Sequence, residues 1–198
     1  VLGHSVGNAI EVKECINFLI KPENANLRLL ELTIELAAHM LQLSGIESDL
    51  ETARVKSQDA LTSGKAAAIF EQMISALGGP SDLLEKSHKH LVPMPIIRPI
   101  AANSSGYVLE MDARAIGLSM IHLKAGRTKS SDPIDHGVGL SDIVEIGQWI
   151  DKGVPLAIAH TRDKEQLSYL QETIPGFISL GAKHIEPPTL IHEILGSN

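Results

Sequence analysis

The stretch Lys86-Ser87-His88-Lys89-His90-Leu91-Val92-Pro93-Met94-Pro95-Ile96-Ile97-Arg98-Pro99-Ile100 divides the sequence into two kinds of chain. Pro93, Pro95 and Pro99 lack backbone donors and bar a helix, while Ile96, Ile97 and Ile100 favour an extended run. Before this stretch apolar residues recur at helical spacing; after it short β-prone runs alternate with helices. The fold class is therefore α/β, helical over residues 1–92 and α+β over 93–198.

Backwards from the boundary, Gly78-Gly79-Pro80 stops a helix over residues 65–77, and Ser63-Gly64 separates it from another over 49–61. Ser81 or Asp82 caps one further short turn. Gly45 follows a helix over 27–43, in which Leu29, Leu30, Leu32, Ile34, Leu36, Ala37, Met40 and Leu41 lie nearly all round, predicting burial on more than one side. The first helix follows a glycine-containing loop at 2–7. Asn8 is its expected N-cap with Glu11 as capping-box partner, and Ile10, Cys15, Ile16, Leu19 and Ile20 form its apolar stripe. Pro22 ends it.

Forwards, the strand at 96–100 is followed by Tyr107-Val108-Leu109, read as its returning strand. A helix over 112–123 has Ile116, Met120 and Leu123 on one face. Beyond a loop reaching Gly137, Val138-Gly139-Leu140 and Ile143-Val144 are broken strand material. A strand over 154–159 ends at His160, a helix covers 163–173, Phe177-Ile178-Ser179-Leu180 is a strand, and the Pro187-Pro188 tail is irregular.

Composition excludes whole classes of protein. Of 198 residues 43% are apolar and 21% charged, which rules out disorder, collagen and coiled coil. Only six aromatic residues are present, so the core is aliphatic. The net charge of −7 arises from 8 basic and 12 acidic residues before position 96 and 9 and 12 after it, so neither half offers a basic surface to nucleic acid or anionic membrane. A single cysteine, Cys15, forms no internal disulfide, and the expected compartment is the cytoplasm. The chain opens on Val1 rather than Met, which reads as a chain whose beginning has been removed.

Several motifs invite chemistry and fail on their spacing. Thr62-Ser63-Gly64-Lys65 resembles part of a phosphate loop, but Asp59 and Ala66 stand where that loop needs Gly and Ser or Thr. His88 and His90 lie on one side of an extended segment without a third ligand nearby in sequence, and read as a solvated linker. His136 and His160, at loop or strand ends, lack an identifiable partner and read as ordinary loop histidines. Cys15 reads as packing, and the Asn103-Ser104-Ser105 sequon carries no meaning in a cytosolic chain. Glu11 and Glu14 share one helix face. Two readings stay open for them: solvated carboxylates favoured by the positive helix N-terminus, or a carboxylate that joins carbonyls of residues 2–7 around a hard cation.

A wider pattern then emerges. Leu2-Gly3-His4-Ser5-Val6-Gly7-Asn8-Ala9-Ile10-Glu11-Val12-Lys13-Glu14 resembles a segment of the thymidine and pyrimidine-nucleoside phosphorylases. So do, in the same order, Gly64-Lys65-Ala66-Ala67, Gly106-Tyr107-Val108, Met111 through Gly117, Gly126-Arg127, Asp132-Pro133-Ile134-Asp135, Val138-Gly139-Leu140 and Gly153-Val154-Pro155-Leu156-Ala157 with His160. From Gln171 onward the likeness is loose. The resemblance implies the C-terminal part of a longer enzyme: a helical segment of a large α/β domain over 1–92 and a C-terminal α/β-hammerhead domain over 93–198.

That family cleaves pyrimidine nucleosides with phosphate to the free base and a pentose 1-phosphate. The resemblance implies a cytoplasmic pentosyltransferase, homodimeric when intact, whose catalytic and substrate-binding residues all lie upstream of this chain. By itself the chain is then expected to be monomeric and inactive. No cofactor is required; by position, the intact enzyme would hold a monovalent cation such as potassium on the Leu2 and Ser5 carbonyls and the Glu14 carboxylate, with its remaining ligands from the missing phosphate-binding loop, so in this chain the site is expected to be incomplete, weak or empty. Glu11 is left structural. Asp112, Arg114, Arg127, Asp132 and Asp135 are expected to pair within the hammerhead. Alternatives are a nucleoside-monophosphate phosphorylase and a biotinyl- or lipoyl-like carrier, the latter disfavoured because Glu110-Met111-Asp112-Ala113 offers no lysine to modify.

Overall fold

Most of the predicted helices form, four of them with a side-chain N-cap. The structure is a computed structural model in which residues 1–195 are described. The helices before the boundary are α1 (Asn8–Ile20), α2 (Leu27–Leu43), α3 (Leu50–Thr62), α4 (Lys65–Ala76) and the single turn α5 (Ser87–His90). Asn26 and Asp49 cap α2 and α3, their side chains accepting from the Leu29 and Thr52 amides. Gly64, at φ 77°, makes the turn into α4, so the glycine and lysine of the discarded phosphate-loop reading serve a helix junction.

Contacts divide the chain into two units, one chiefly Cys15–His90 and the other Gly3–Glu14 with Leu91–Pro188. The boundary drawn from sequence put all of residues 1–92 together. The structure instead assigns Gly3–Glu14 to the C-terminal unit, because Val6 pairs with Leu140 in an antiparallel bridge.

Within the helical unit, α2 and α3 form an antiparallel pair fastened by charge. The Glu35 carboxylate, 12% exposed, accepts from Arg54 Nε at 2.5 Å and Nη2 at 2.6 Å, and contacts His39 Nε2 at 3.1 Å. Arg54 also reaches Glu51. The Arg54 hydrogen bonds hold the Glu35 carboxyl below its ordinary 4.5, against the opposing effect of burial. A depressed native value stabilises the fold above the unfolded value and is lost as pH falls through the native one. An R54M variant should therefore unfold at lower urea than wild type at pH 7, and the gap in helical circular dichroism midpoints should close well below pH 4.5. An unchanged gap at acid pH would assign the difference to packing.

The breadth of apolar surface on α2 misled the sequence reading. Only Ala38 is buried, while Leu36, Met40 and Leu43, which share a face, are 56%, 70% and 86% exposed. Helix α3 covers one side of α2, and no described element of this unit covers the side bearing those three residues. The stripe of α1 also shifts: Ile16 and Phe18 are buried, Cys15 is half-buried and Ile20 is 44% exposed.

The C-terminal unit has strands β1 (Ile96–Ala101), β2 (Gly106–Met111), β3 (Gly139–Ser141), β4 (Trp149–Ile150), β5 (Pro155–Thr161) and β6 (Ile178–Gly181), with helices α6 (Ala113–His122) and α7 (Lys164–Thr173). They make two three-stranded antiparallel sheets, β1-β5-β3 and β4-β2-β6. This is the expected α/β class. The expected β1–β2 hairpin does not form. After Ala102 the chain leaves the first sheet, and β2 pairs instead with β4 and β6, while Ile100 of β1 faces Ala157 of β5. Period-2 patterning marks a run as extended but does not choose its partner. The two-residue strand β4 is too short to leave any pattern.

One aliphatic core serves both sheets. Ile100, Val108, Ile116, Leu140, Leu156 and Leu170 are all 1% exposed or less. Asp112 and Asp163 cap α6 and α7 by accepting from the Ala115 and Gln166 amides, which lays the apolar face of α6 predicted from Ile116, Met120 and Leu123 on this core.

Candidate functional site

The N-terminal loop is attached to the C-terminal unit by alternating peptide groups. Val6 N–H donates to the Leu140 carbonyl at 2.9 Å, and Val6 C=O accepts from Leu140 N–H at 2.8 Å. His4 C=O accepts from Ile143 N–H at 3.1 Å. In a trans peptide the C=O and N–H point opposite ways, so the Ser5 carbonyl, joined to the Val6 N–H, is directed away from β3. Among the described residues no backbone hydrogen bond reaches it, while the His4 and Val6 carbonyls on either side are occupied.

Glu14 lies one helical turn and more into α1, and its carboxylate folds back onto the loop. Oε1 accepts the His4 amide at 2.6 Å. Gly3, at φ 75°, permits this: a Cβ there would lie 2.9 Å from Glu14 Oε2. The carboxylate and the Ser5 carbonyl are hard oxygen donors, the chemistry that suits an alkali or alkaline-earth ion. Ser5 is buried and Leu2 is 41% exposed.

Glu11 has a structural role, one residue displaced from the predicted capping box. It accepts from the Gly7 amide at 2.9 Å, so Gly7 and not Asn8 stands at the cap position. Asn8 turns outward and donates to the Ala125 carbonyl at 2.8 Å. The Ala9 amide is satisfied by the His136 carbonyl at 2.9 Å, which gives His136 a backbone function. The reason for the shift is Gly7's backbone, at φ 129°, which crosses β3 so closely that a Cβ would lie 2.6 Å from the Val138 carbonyl oxygen.

The other sequence candidates disperse. His88 and His90 sit on a helical turn, not an extended segment, and so point to different sides; His90 bonds Asp82 Oδ1 at 2.7 Å. His160 lies within β5 and does have a partner, contrary to the sequence reading. Its Nε2 is 2.9 Å from Ser141 Oγ, whose hydroxyl donates to Asp142 Oδ2 at 2.9 Å. With the hydroxyl proton directed at Asp142, the imidazole donates to Ser141 and takes no proton from it. Burial, aided by the Lys13 charge, holds His160 below its ordinary value. Among the described residues no group of three or more His, Cys, Asp or Glu side chains is placed to hold a metal.

Of the charged set, only Asp135 forms an ion pair among the described residues, and its partner lies outside the set. The Asp132 carboxylate accepts from the Thr128 amide and hydroxyl and from the Lys129 amide, and Arg127 Nε donates to the Asp132 carbonyl. Asp135 pairs with Arg162 at 2.5 Å, a partner that sequence gave no means of choosing. Asp112 is the α6 cap. Arg114 lies on α6 without a role assigned by the geometry.

A mixed α/β unit of two small antiparallel sheets, with a glycine-rich loop fastened to one of them, defines the class, and residues 107–180 match the family model for the pyrimidine nucleoside phosphorylase C-terminal domain. The chain is also 41% identical over 193 residues to a protein named thymidine phosphorylase from Burkholderia orbicola (strain MC0-3), an alignment covering 98% of this chain and 44% of that protein. The chain thus carries a pyrimidine nucleoside phosphorylase C-terminal domain over residues 107–180, and its likeness to a thymidine phosphorylase extends over nearly its whole length. It spans less than half the length of that curated relative.

Proposed function

We propose that the family-length protein to which this chain corresponds catalyses the reversible phosphorolysis of thymidine to thymine and 2-deoxyribose 1-phosphate, as a cytoplasmic homodimer. The observation that carries this reading is the 41% identity, sustained over 193 residues, to a protein named thymidine phosphorylase. In such a reaction phosphate must be held against C1′ while positive charge develops on the sugar and negative charge on the departing base. That demands aligned anion-binding donors and cationic contacts to the pyrimidine. This chain is acidic, and the arginines for which side-chain partners are described in its C-terminal unit are committed to structural bonds: Arg162 to Asp135, Arg127 to the Asp132 carbonyl and Arg98 to the Ile97 carbonyl. We assign no catalytic or substrate-binding residue here.

The carrier alternative loses its remaining support in the position of Met111. It ends β2 and is followed by the α6 cap rather than standing at a hairpin tip.

In the intact protein the Ser5 carbonyl and the Glu14 carboxylate would be ligands of a monovalent cation such as potassium. The ion would supply fixed positive charge beside an anionic substrate. The chain's own contribution is to direct the Ser5 carbonyl away from β3 and to hold the Glu14 carboxylate against Gly3 and His4.

Purified chain, incubated with thymidine and inorganic phosphate and assayed by chromatography, should release no thymine above a no-enzyme control. Phosphate-dependent release would overturn the assignment of the chemistry to residues outside this chain.

A further inference from the structure

Resting on the cation reading above, we propose that His4 and Glu145 are positioning residues, which lock the loop that presents the Ser5 carbonyl. The loop motif matched by resemblance leaves position 4 without a role, yet His4 is the most heavily tied residue of the loop. Its amide donates to Glu14 Oε1 at 2.6 Å, its carbonyl accepts from Ile143 N–H at 3.1 Å, and its imidazole Nε2 meets Glu145 Oε1 at 2.5 Å. One residue thereby joins α1 to the segment that follows β3.

The direction of the Ser5 carbonyl depends on these ties. It is set by the peptide planes on either side: the one before is held through the His4 carbonyl, the one after through the Val6 amide. Gly3 immediately precedes His4 at φ 75°, and glycine has more accessible backbone conformations than any other residue. The backbone bonds alone would leave a hinge at Gly3. The imidazole–carboxylate contact spans from the loop to Glu145, which is itself fixed by its amide donating to Gln148 Oε1 at 3.0 Å. The pair is half-exposed, 41% and 42%, so its effect is expected in local order and ligand geometry rather than in global stability.

The test compares wild type, E145A and E145Q in the full 198-residue chain. Amide hydrogen exchange at Val6 and Ile143 is measured by NMR without added cation, and thallous ion, a potassium mimic, is titrated with detection by its own resonance. E145A should speed exchange at both amides and weaken thallous binding, each about tenfold, the scale set by local opening and by outer partners of metal ligands. E145Q, which keeps an acceptor, should restore most of both. Unchanged exchange in E145A overturns the lock. Faster exchange with unchanged thallous affinity overturns the positioning role and leaves a structural contact. Absence of thallous binding by wild type overturns the retention of a cation site by this chain, and the positioning role with it, while the exchange arm still reports separately on the lock.

Discussion

G139A should lower the stability of the C-terminal unit by about 3–5 kcal/mol, the sum of backbone strain and forced overpacking. Gly139 opens β3 at φ 156°, and a Cβ there would stand 2.3 Å from the Val6 carbonyl oxygen and 3.1 Å from Gly7 Cα. Neither neighbour is the flexible end of a side chain. Gly7 presents the reciprocal demand, so the two glycines meet back to back where the N-terminal loop crosses the sheet. Trp149, the only tryptophan of the chain, lies on β4 with its ring 4.8 Å from that of Tyr107 and reports unfolding of this unit directly. Urea denaturation followed by its fluorescence is the measurement. G153A is the control, since Gly153 also has positive φ, 87°, but nothing within 4 Å of a Cβ; it should cost about 1 kcal/mol from strain alone. Equal losses in the two variants would mean that the close crossing is absent.

L140A should cost about 2–5 kcal/mol, the range for deleting a buried leucine where the surroundings collapse only partly. Leu140 is fully buried, pairs with Ala159 of β5 on one side and exchanges both backbone hydrogen bonds with Val6 on the other. Because the backbone bonds survive the substitution, the loss measures the side chain in the core. L118A is the comparison: Leu118, on α6, is 54% exposed and should change stability by no more than about 0.5 kcal/mol. A similar small loss for L140A would place its side chain outside the core.

These positions show what was readable beforehand. Val6-Gly7-Asn8 and Val138-Gly139-Leu140 were recognisable as separate motifs, but their glycines are required by one another across 132 positions of chain, a relation that no local pattern carries. The same holds for Asp135 and Arg162, both visible as charges and joined only by the fold. Glu11 was legible as a helix-start residue because capping is local; its displacement onto Gly7 arose because the Gly7 backbone is pinned against Val138. His4 and Glu145 left no signal, since neither lies in a periodic run and their contact spans 141 positions.

Helix α2 gives the complementary lesson. Its apolar residues predicted a helix correctly, because period and capping act within a few residues, but predicted burial wrongly, because burial depends on what else is present to cover a face.

Sequence alone determined the α/β class, most of the helices, the positions of most strands, and, through motifs in a fixed order, the resemblance to the family. All of these are encoded over short spans or as linear order. Only the tertiary structure decided that β2 leaves β1 for β6, that residues 3–14 belong with the C-terminal unit, and that the Ser5 carbonyl is directed away from β3. Strand pairing and peptide orientation are set by partners far away in the chain, whose burial and hydrogen bonding become definite only when the chain closes upon itself.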